Sequence, residues 1–178
     1  MLEVDAEHLQ AFPAEAFADV LEANRRYSER FTSAGLTGTA AKGLAVITCM
    51  DSRIDPLGVL GLRPGDVKIM RNAGARVTDD MLRTLILASH LLGDDRVLVM
   101  PHTDCKMTGT SEMAIHESIL RSSGVDTRCI EFRTTTDQVK ALASDVIRVR
   151  SHPLLPEGLS IGGAIYDVAS GSLTTIDC

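Results

Sequence analysis

The sequence predicts an α/β domain: a mainly parallel central sheet flanked by helices, with an antiparallel edge strand or hairpin added. Three observations predict it. Leu44-Ala45-Val46-Ile47-Thr48, Val67-Lys68-Ile69-Met70 and Arg96-Val97-Leu98-Val99-Met100 are short, largely continuous aliphatic runs, the pattern of strands buried on both faces of a parallel sheet. An amphipathic segment separates the last two, completing a β-α-β unit. The tail changes character, with two apolar runs flanking a Gly-Ser turn.

Phe17, Val20, Leu21, Tyr27 and Phe31 recur at near-helical spacing behind Pro13, so residues 13–31 are expected to be helical. This N-terminal arm, residues 1–35, has large apolar groups at both ends and suits a subunit interface as well as its own core. After the second strand, Thr78 caps a helix whose first turn holds Asp79 and Asp80. Its apolar stripe is Met81, Leu82, Leu85, Ile86 and Leu92, and Gly93 stops it. Residues 110–122 read as a helix ending at Gly124, and Cys129-Ile130-Glu131-Phe132 as a further strand. Asp137 opens a helix through Val139, Leu142, Val146 and Ile147 that stops before Pro153. Ile161–Val168 and Leu173–Ile176 around Ala169-Ser170-Gly171-Ser172 form the expected hairpin.

With 178 residues and neither repeat nor linker, residues 1–178 are expected to form one domain. Apolar residues at 44% and charged residues at 24% are ordinary for a globular protein. A formal charge of −6 argues against nucleic acid or an anionic membrane as partner, since both are bound by clustered Lys and Arg. No apolar run nears the roughly 18 residues of a membrane span, and no secretory leader is visible, so the expected location is the cytoplasm. Four cysteines, two of them beside Asp and His, fit a reducing compartment and metal binding better than a disulfide framework.

Cys49-Met50-Asp51-Ser52-Arg53 and His102-Thr103-Asp104-Cys105 offer two thiolates and an imidazole to one metal. Each candidate lies just beyond the C-terminal end of an expected strand, where open α/β sheets place their sites. Soft sulfur with imidazole nitrogen selects Zn²⁺, one per chain, and three protein ligands leave a coordination position open, as catalytic zinc requires. If the first strand's extended geometry continues, Cys49, Asp51 and Arg53 project to one side. His102 and Cys105 reach one ion across a tight turn entering a helix, whose N-terminus favours an ionised thiol. Two thiolates cancel the formal metal charge, so a nearby acceptor is needed to hold the nucleophilic water. Asp51 is placed for that role, with Arg53 pairing it bidentately. If the pairing fails, Asp51 becomes a conditional fourth ligand, and falling pH favours that closed state.

These motifs resemble those of the β-class carbonic anhydrases. Arg71-Asn72-Ala73-Gly74 and Val77-Thr78-Asp79-Asp80 are similar to the family segment between them. The likeness runs from about Gly43 through the helix after Cys105 and returns weakly over Gly163 to Gly171. The resemblance implies reversible hydration of carbon dioxide to bicarbonate and a proton through a zinc-bound hydroxide, with Cys49, His102 and Cys105 as ligands and Asp51 and Arg53 as the catalytic dyad. It implies a homodimer or higher assembly, with the N-terminal helix embracing a neighbour, and an Asn72, Ala73 and Gly74 turn bordering the pocket. Without the resemblance, those three residues need only be a turn. Lys106 stands where many family members carry Gly, a departure bearing on rate and substrate preference. Two alternatives stay open: hydrolysis of carbonyl sulfide or carbon disulfide at the same site, and a non-catalytic zinc-stabilised domain that binds a partner or senses bicarbonate.

Outside the motifs, Cys129 is expected to be buried in a strand and Cys178 to lie at a frayed terminus. His90 reads as a packed or interface residue, His8, His116 and His152 as solvent-facing, and Asp104 as a helix cap.

Overall fold

The computed structural model describes residues 11–178, so His8 lies outside the described residues. Thr37–Cys178 forms one compact unit, and the described residues before it form a separate one. In the N-terminal unit a short 3-10 turn, Ala14–Phe17, precedes helix α1, Ala18–Ser28. The helical arm is thus regular only from Ala18. Pro13 heads the 3-10 turn, and Phe17 adopts a non-helical conformation where the two segments meet.

In the larger unit the strands are β1 Leu44–Cys49, β2 Val67–Asn72, β3 Arg96–Met100, β4 Ser160–Tyr166 and β5 Leu173–Ile176. They form one sheet in the order β2-β1-β3-β4-β5. β1 lies parallel to both β2 and β3, β3 is parallel to β4, and β5 is antiparallel to β4. The expected mixed sheet with its edge hairpin is therefore present. Connections leave β1 in one direction and β3 in the other, which makes the C-terminal ends of these two neighbours a topological switch point and opens a crevice there.

The helices are α2 Pro56–Leu60, α3 Asp79–Leu91, α4 Glu112–Ser123 and α5 Gln138–Arg150. Side-chain oxygens of Thr78, Ser111 and Asp137 cap α3, α4 and α5, and Gly124 closes α4 in a left-handed conformation. Ala45, Ile47, Val97 and Val99 pack with Met81, Leu82 and Leu85 of α3 and with Leu142, Val146 and Val149 of α5. A second apolar cluster joins Val46, Ile54, Met100 and Tyr166 with Cys49 and Cys105. Helix α2, begun by Pro56 and ended by left-handed Gly61, is too short to announce itself by periodicity.

Three expectations fail in α4 and the segment that joins it to α5. Cys129–Phe132 is not a strand. The amides of Arg133 and Thr134 donate to the Glu112 carboxylate, and the Phe132 ring stacks on His116 at 5.2 Å. Side chains thus take the hydrogen bonds and apolar surface that a sheet would have used. Consequently Cys129 is exposed and His116 is buried, its Nδ1 2.9 Å from Thr127 Oγ1. His90 is exposed, with its Nε2 2.8 Å from the Leu154 carbonyl oxygen.

Candidate metal centre

The strand conformation of β1 ends at Cys49, so side-chain alternation does not carry Asp51 and Arg53 onwards. A turn does, closed by Ile54 N–H donating to Asp51 O at 3.1 Å. Within it Arg53 donates to Asp51 through Nε to Oδ1 (3.0 Å), Nη2 to Oδ2 (2.8 Å) and its backbone amide to Oδ1 (2.9 Å). These bonds, the side-chain ones first, hold the Asp51 carboxyl well below the usual carboxylate range. The Arg53 guanidinium is raised in turn, first by Asp51 and then by Asp104.

Arg71, at the end of β2, donates from Nε to Cys49 O at 2.8 Å and from Nη2 to Asp51 O at 2.6 Å, tying this turn to the neighbouring strand. Asn72 turns back on its own chain: Oδ1 accepts from Arg76 N and Nδ2 donates to Arg76 O. The loop it closes places Gly74 at φ +80°, with its N–H donating to Cys49 Sγ at 3.3 Å. A Cβ at Gly74 would lie 3.1 Å from Met107 Cβ, so the position needs glycine for conformation and for space.

Beyond β3, His102 bridges to Tyr166. Thr103 N–H donates to Tyr166 O, and Gln138 Nε2 of α5 donates to His102 O at 2.7 Å. The His102 ring is fully buried, and its Nδ1 lies 2.8 Å from Thr103 O. A carbonyl oxygen only accepts, so Nδ1 carries the proton and, in the neutral ring, Nε2 presents a lone pair. That Nε2 is buried without a hydrogen-bond partner among the described residues. A buried lone pair beside two cysteine sulfurs is a donor arrangement that suits a soft or borderline metal cation.

Asp104 does not cap a helix. It adopts a left-handed conformation, φ +55°, which turns the chain so that Cys105 faces His102. Its carboxylate accepts from Arg53 Nη1 at 2.7 Å, and its carbonyl accepts from Arg53 Nη2 at 3.1 Å. Helix α4 begins only at Glu112, so its N-terminus does not act on Cys105.

The ligand atoms of Cys49, His102 and Cys105 all lie within 4.8 Å of one another. The two sulfurs are 4.0 Å apart, close to the roughly 3.8 Å that two thiolates on a tetrahedral zinc would span at about 2.3 Å each. The donor set therefore fits zinc. Between the two thiols, Cys49 is the one that ionises first: the hydrogen bond from Cys105 lowers it most, with Gly74 N–H adding to the effect. Cys105 is raised by that same hydrogen bond and by burial.

The carbonic anhydrase family profile matches residues 44–173. The chain belongs to the β-carbonic anhydrase family. It is 30% identical over 158 residues to β-carbonic anhydrase 1 of Mycobacterium tuberculosis, a match covering 89% of this chain and 96% of that one. A crystal structure of carbonic anhydrase from Streptococcus mutans superposes with a TM-score of 0.86 at 34% identity, covering 94% of this chain and all of that one. Carbon disulfide hydrolase of Acidithiobacillus thiooxidans is also 30% identical, over 151 residues, 73% of this chain and 75% of that one.

For a β-carbonic anhydrase the surroundings of the cluster carry further information. Lys106 lines an open cleft of about 410 Å³ together with Asp51, Arg53, Asp104 and Cys105. Arg71, named above only as part of the resembling segment, and Gln138, not singled out from the sequence, both act through hydrogen bonds to main-chain carbonyls. Their roles left no signal in the sequence, since backbone acceptors carry no residue-type signature. Of the Asn72, Ala73 and Gly74 turn, Gly74 touches the cluster, through its N–H on Cys49 Sγ, whereas the Asn72 amide is spent on Arg76.

Proposed function

We propose that this chain catalyses the reversible hydration of carbon dioxide to bicarbonate and a proton, with one zinc ion held by Cys49, His102 and Cys105. The observation that carries this reading is the buried, unpartnered His102 Nε2 facing two cysteine sulfurs in a β-carbonic anhydrase fold. When bound, zinc would supply the Lewis acidity that makes water nucleophilic near neutral pH, an effect of which carbonic anhydrases are the standard example. Asp51 stays ionised beside Arg53, and its Oδ2 lies 3.7 Å from His102 Nε2. It is therefore placed to accept a hydrogen bond from the nucleophilic water and orient it. Arg53 fixes both Asp51 oxygens and keeps the carboxylate from the open coordination position. Were Arg53 to let go, Asp51 would serve as the conditional fourth ligand and close the site. Thr103 fixes the His102 tautomer, and Gly74 N–H stabilises the Cys49 thiolate.

The further reading is of a cytoplasmic homodimer or larger assembly. No helix among the described residues is long and apolar enough to cross a membrane. A second reading, hydrolysis of carbon disulfide or carbonyl sulfide, is favoured by the similarity to carbon disulfide hydrolase. Stopped-flow assays with carbon dioxide, carbonyl sulfide and carbon disulfide on zinc-loaded protein separate the two. Rapid sulfide release beside negligible carbon dioxide hydration would exclude the first reading. Undiminished zinc in Cys49→Ser would exclude the metal site itself.

A further inference from the structure

Helix α5 holds none of the three candidate ligands, yet from one face it touches His102 directly and the Asn72–Arg76 turn through Arg76. Gln138 and Asp145, two turns apart, lie on the same side of the helix. Gln138 holds the His102 carbonyl. Asp145 accepts from Arg76, Nε to Oδ2 at 2.6 Å and Nη2 to Oδ1 at 3.4 Å, and the third guanidinium nitrogen donates to Arg133 O at 3.1 Å. Both side chains of this ion pair are largely buried, beside the apolar residues Leu142 and Val146 on α5.

A buried pair of this kind is a poor stabiliser, because desolvation offsets most of the attraction and apolar residues of equal volume serve as well. What the pair supplies is direction. The Arg76 backbone is joined to Asn72 through both its N–H and its C=O, and its side chain is joined to α5. The Ala73–Ala75 segment between those anchors holds two consecutive left-handed residues, Gly74 and Ala75, a conformation that surrounding structure must enforce at Ala75. From that segment Gly74 N–H points at the Cys49 sulfur.

We infer that Asp145, acting through Arg76, is a positioning residue for the metal centre: it fixes the Asn72–Arg76 turn and so keeps the Gly74 N–H on the Cys49 sulfur. This rests on the reading that Cys49 ligates the metal. An N–H···S bond withdraws charge from a thiolate, so the pair tunes how strongly Cys49 donates to the ion. With Gln138 fixing His102, helix α5 aligns ligands carried by two different strand ends.

The test uses cobalt(II) in place of zinc, read by the thiolate-to-cobalt charge-transfer band, with zinc affinity measured against a chromophoric chelator. Two variants are compared with wild type: Asp145→Asn, which leaves Arg76 without its countercharge, and the double Arg76→Met/Asp145→Leu, which removes the pair together. The thermal stability of the metal-free proteins is followed in parallel; the single variant is expected to fall and the double to match or exceed wild type. If Asp145 positions the turn, the charge-transfer band moves to longer wavelength in both variants. Zinc affinity drops about tenfold in both, the low end of the usual effect of outer-shell partners. If the pair is structural only, the double variant regains the wild-type band and affinity, and the inference is overturned. A wild-type protein without any thiolate-to-cobalt band would overturn the metal-site reading and the inference with it; a wild-type band unmoved in both variants overturns the inference alone.

Discussion

Arg53 grips Asp51 with a fork, Nε on one carboxylate oxygen at 3.0 Å and Nη2 on the other at 2.8 Å, while its remaining nitrogen reaches Asp104 at 2.7 Å. The guanidinium thus joins the turn that follows Cys49 at the end of β1 to the loop after β3 that holds His102 and Cys105. A lysine supplies the same charge but only one point of contact, so it cannot hold two oxygens in a plane. Arg53→Lys is expected to keep one zinc per chain and to lose about 10–100-fold in hydration rate. Stopped-flow kinetics with elemental analysis checks this, and a wild-type rate in the variant would contradict the role given to the fork.

Metal removal should cost stability as well as activity. His102 Nε2 and the two thiols are buried, and among the described residues the nitrogen has no hydrogen-bond partner. Stripping zinc with a chelator is expected to lower the melting temperature and adding it back to restore it. Free zinc at 100 times its dissociation constant contributes about 2.7 kcal/mol by mass action. Binding displaces thiol protons, and Cys105 in the metal-free site holds its proton more tightly than a free thiol. Zinc affinity should therefore weaken as pH falls, with proton release on binding measurable by titration in two buffers of different ionisation enthalpy.

How much of this was legible in the sequence follows from where each signal resides. Leu44–Thr48 and Arg96–Met100 declare themselves because a strand buried on both faces is apolar throughout, and Thr78 declares α3 because a cap is a local contact. The Cys49, His102 and Cys105 cluster was legible because two thiols and an imidazole at or beyond strand ends share one metal-binding chemistry. Cys129–Phe132 has the composition of a strand yet forms none, since His116, more than ten residues upstream, takes the Phe132 ring and Glu112 takes the Arg133 and Thr134 amides that follow it. The same blindness hid the Arg76–Asp145 pair and the partnership of Asp104 with Arg53, which the αL conformation of Asp104 makes possible. Asp51 and Arg53 were paired for the right chemical reason but by the wrong geometry, a turn in place of continued strand alternation.

Asp94 offers a pH dependence separate from the metal. It is buried, its Oδ1 lies 3.3 Å from Lys68 Nζ, and its Oδ2 has no partner among the described residues. Burial raises its pKa, and Lys68 only partly opposes this. The folded protein therefore binds the Asp94 proton more tightly than the unfolded chain. That stabilisation is complete below the ordinary aspartate value of about 3.9 and is lost as pH rises through the elevated folded value. Urea unfolding of wild type and Asp94→Asn from pH 4 to pH 7 should show wild type losing ground to the variant as pH rises. A constant difference would mean that Asp94 titrates alike in both states.

Gly163 of β4 faces α5 at closest approach. A Cβ built there would lie 3.0, 3.1 and 3.2 Å from the Cγ, Cδ1 and Cδ2 atoms of Leu142. Leu142 is itself buried among Val146, Val149 and the sheet, so a new Cβ must displace a packed side chain. Gly163→Ala is expected to destabilise by about 1–3 kcal/mol through overpacking. For a chain of this length each kcal/mol lowers the melting temperature by about 2–4 °C. If the clash with Leu142 is the cause, trimming that side chain should return part of the loss, so Gly163→Ala/Leu142→Val should be more stable than the sum of its single variants. Strict additivity would place the cost of the alanine somewhere other than this contact.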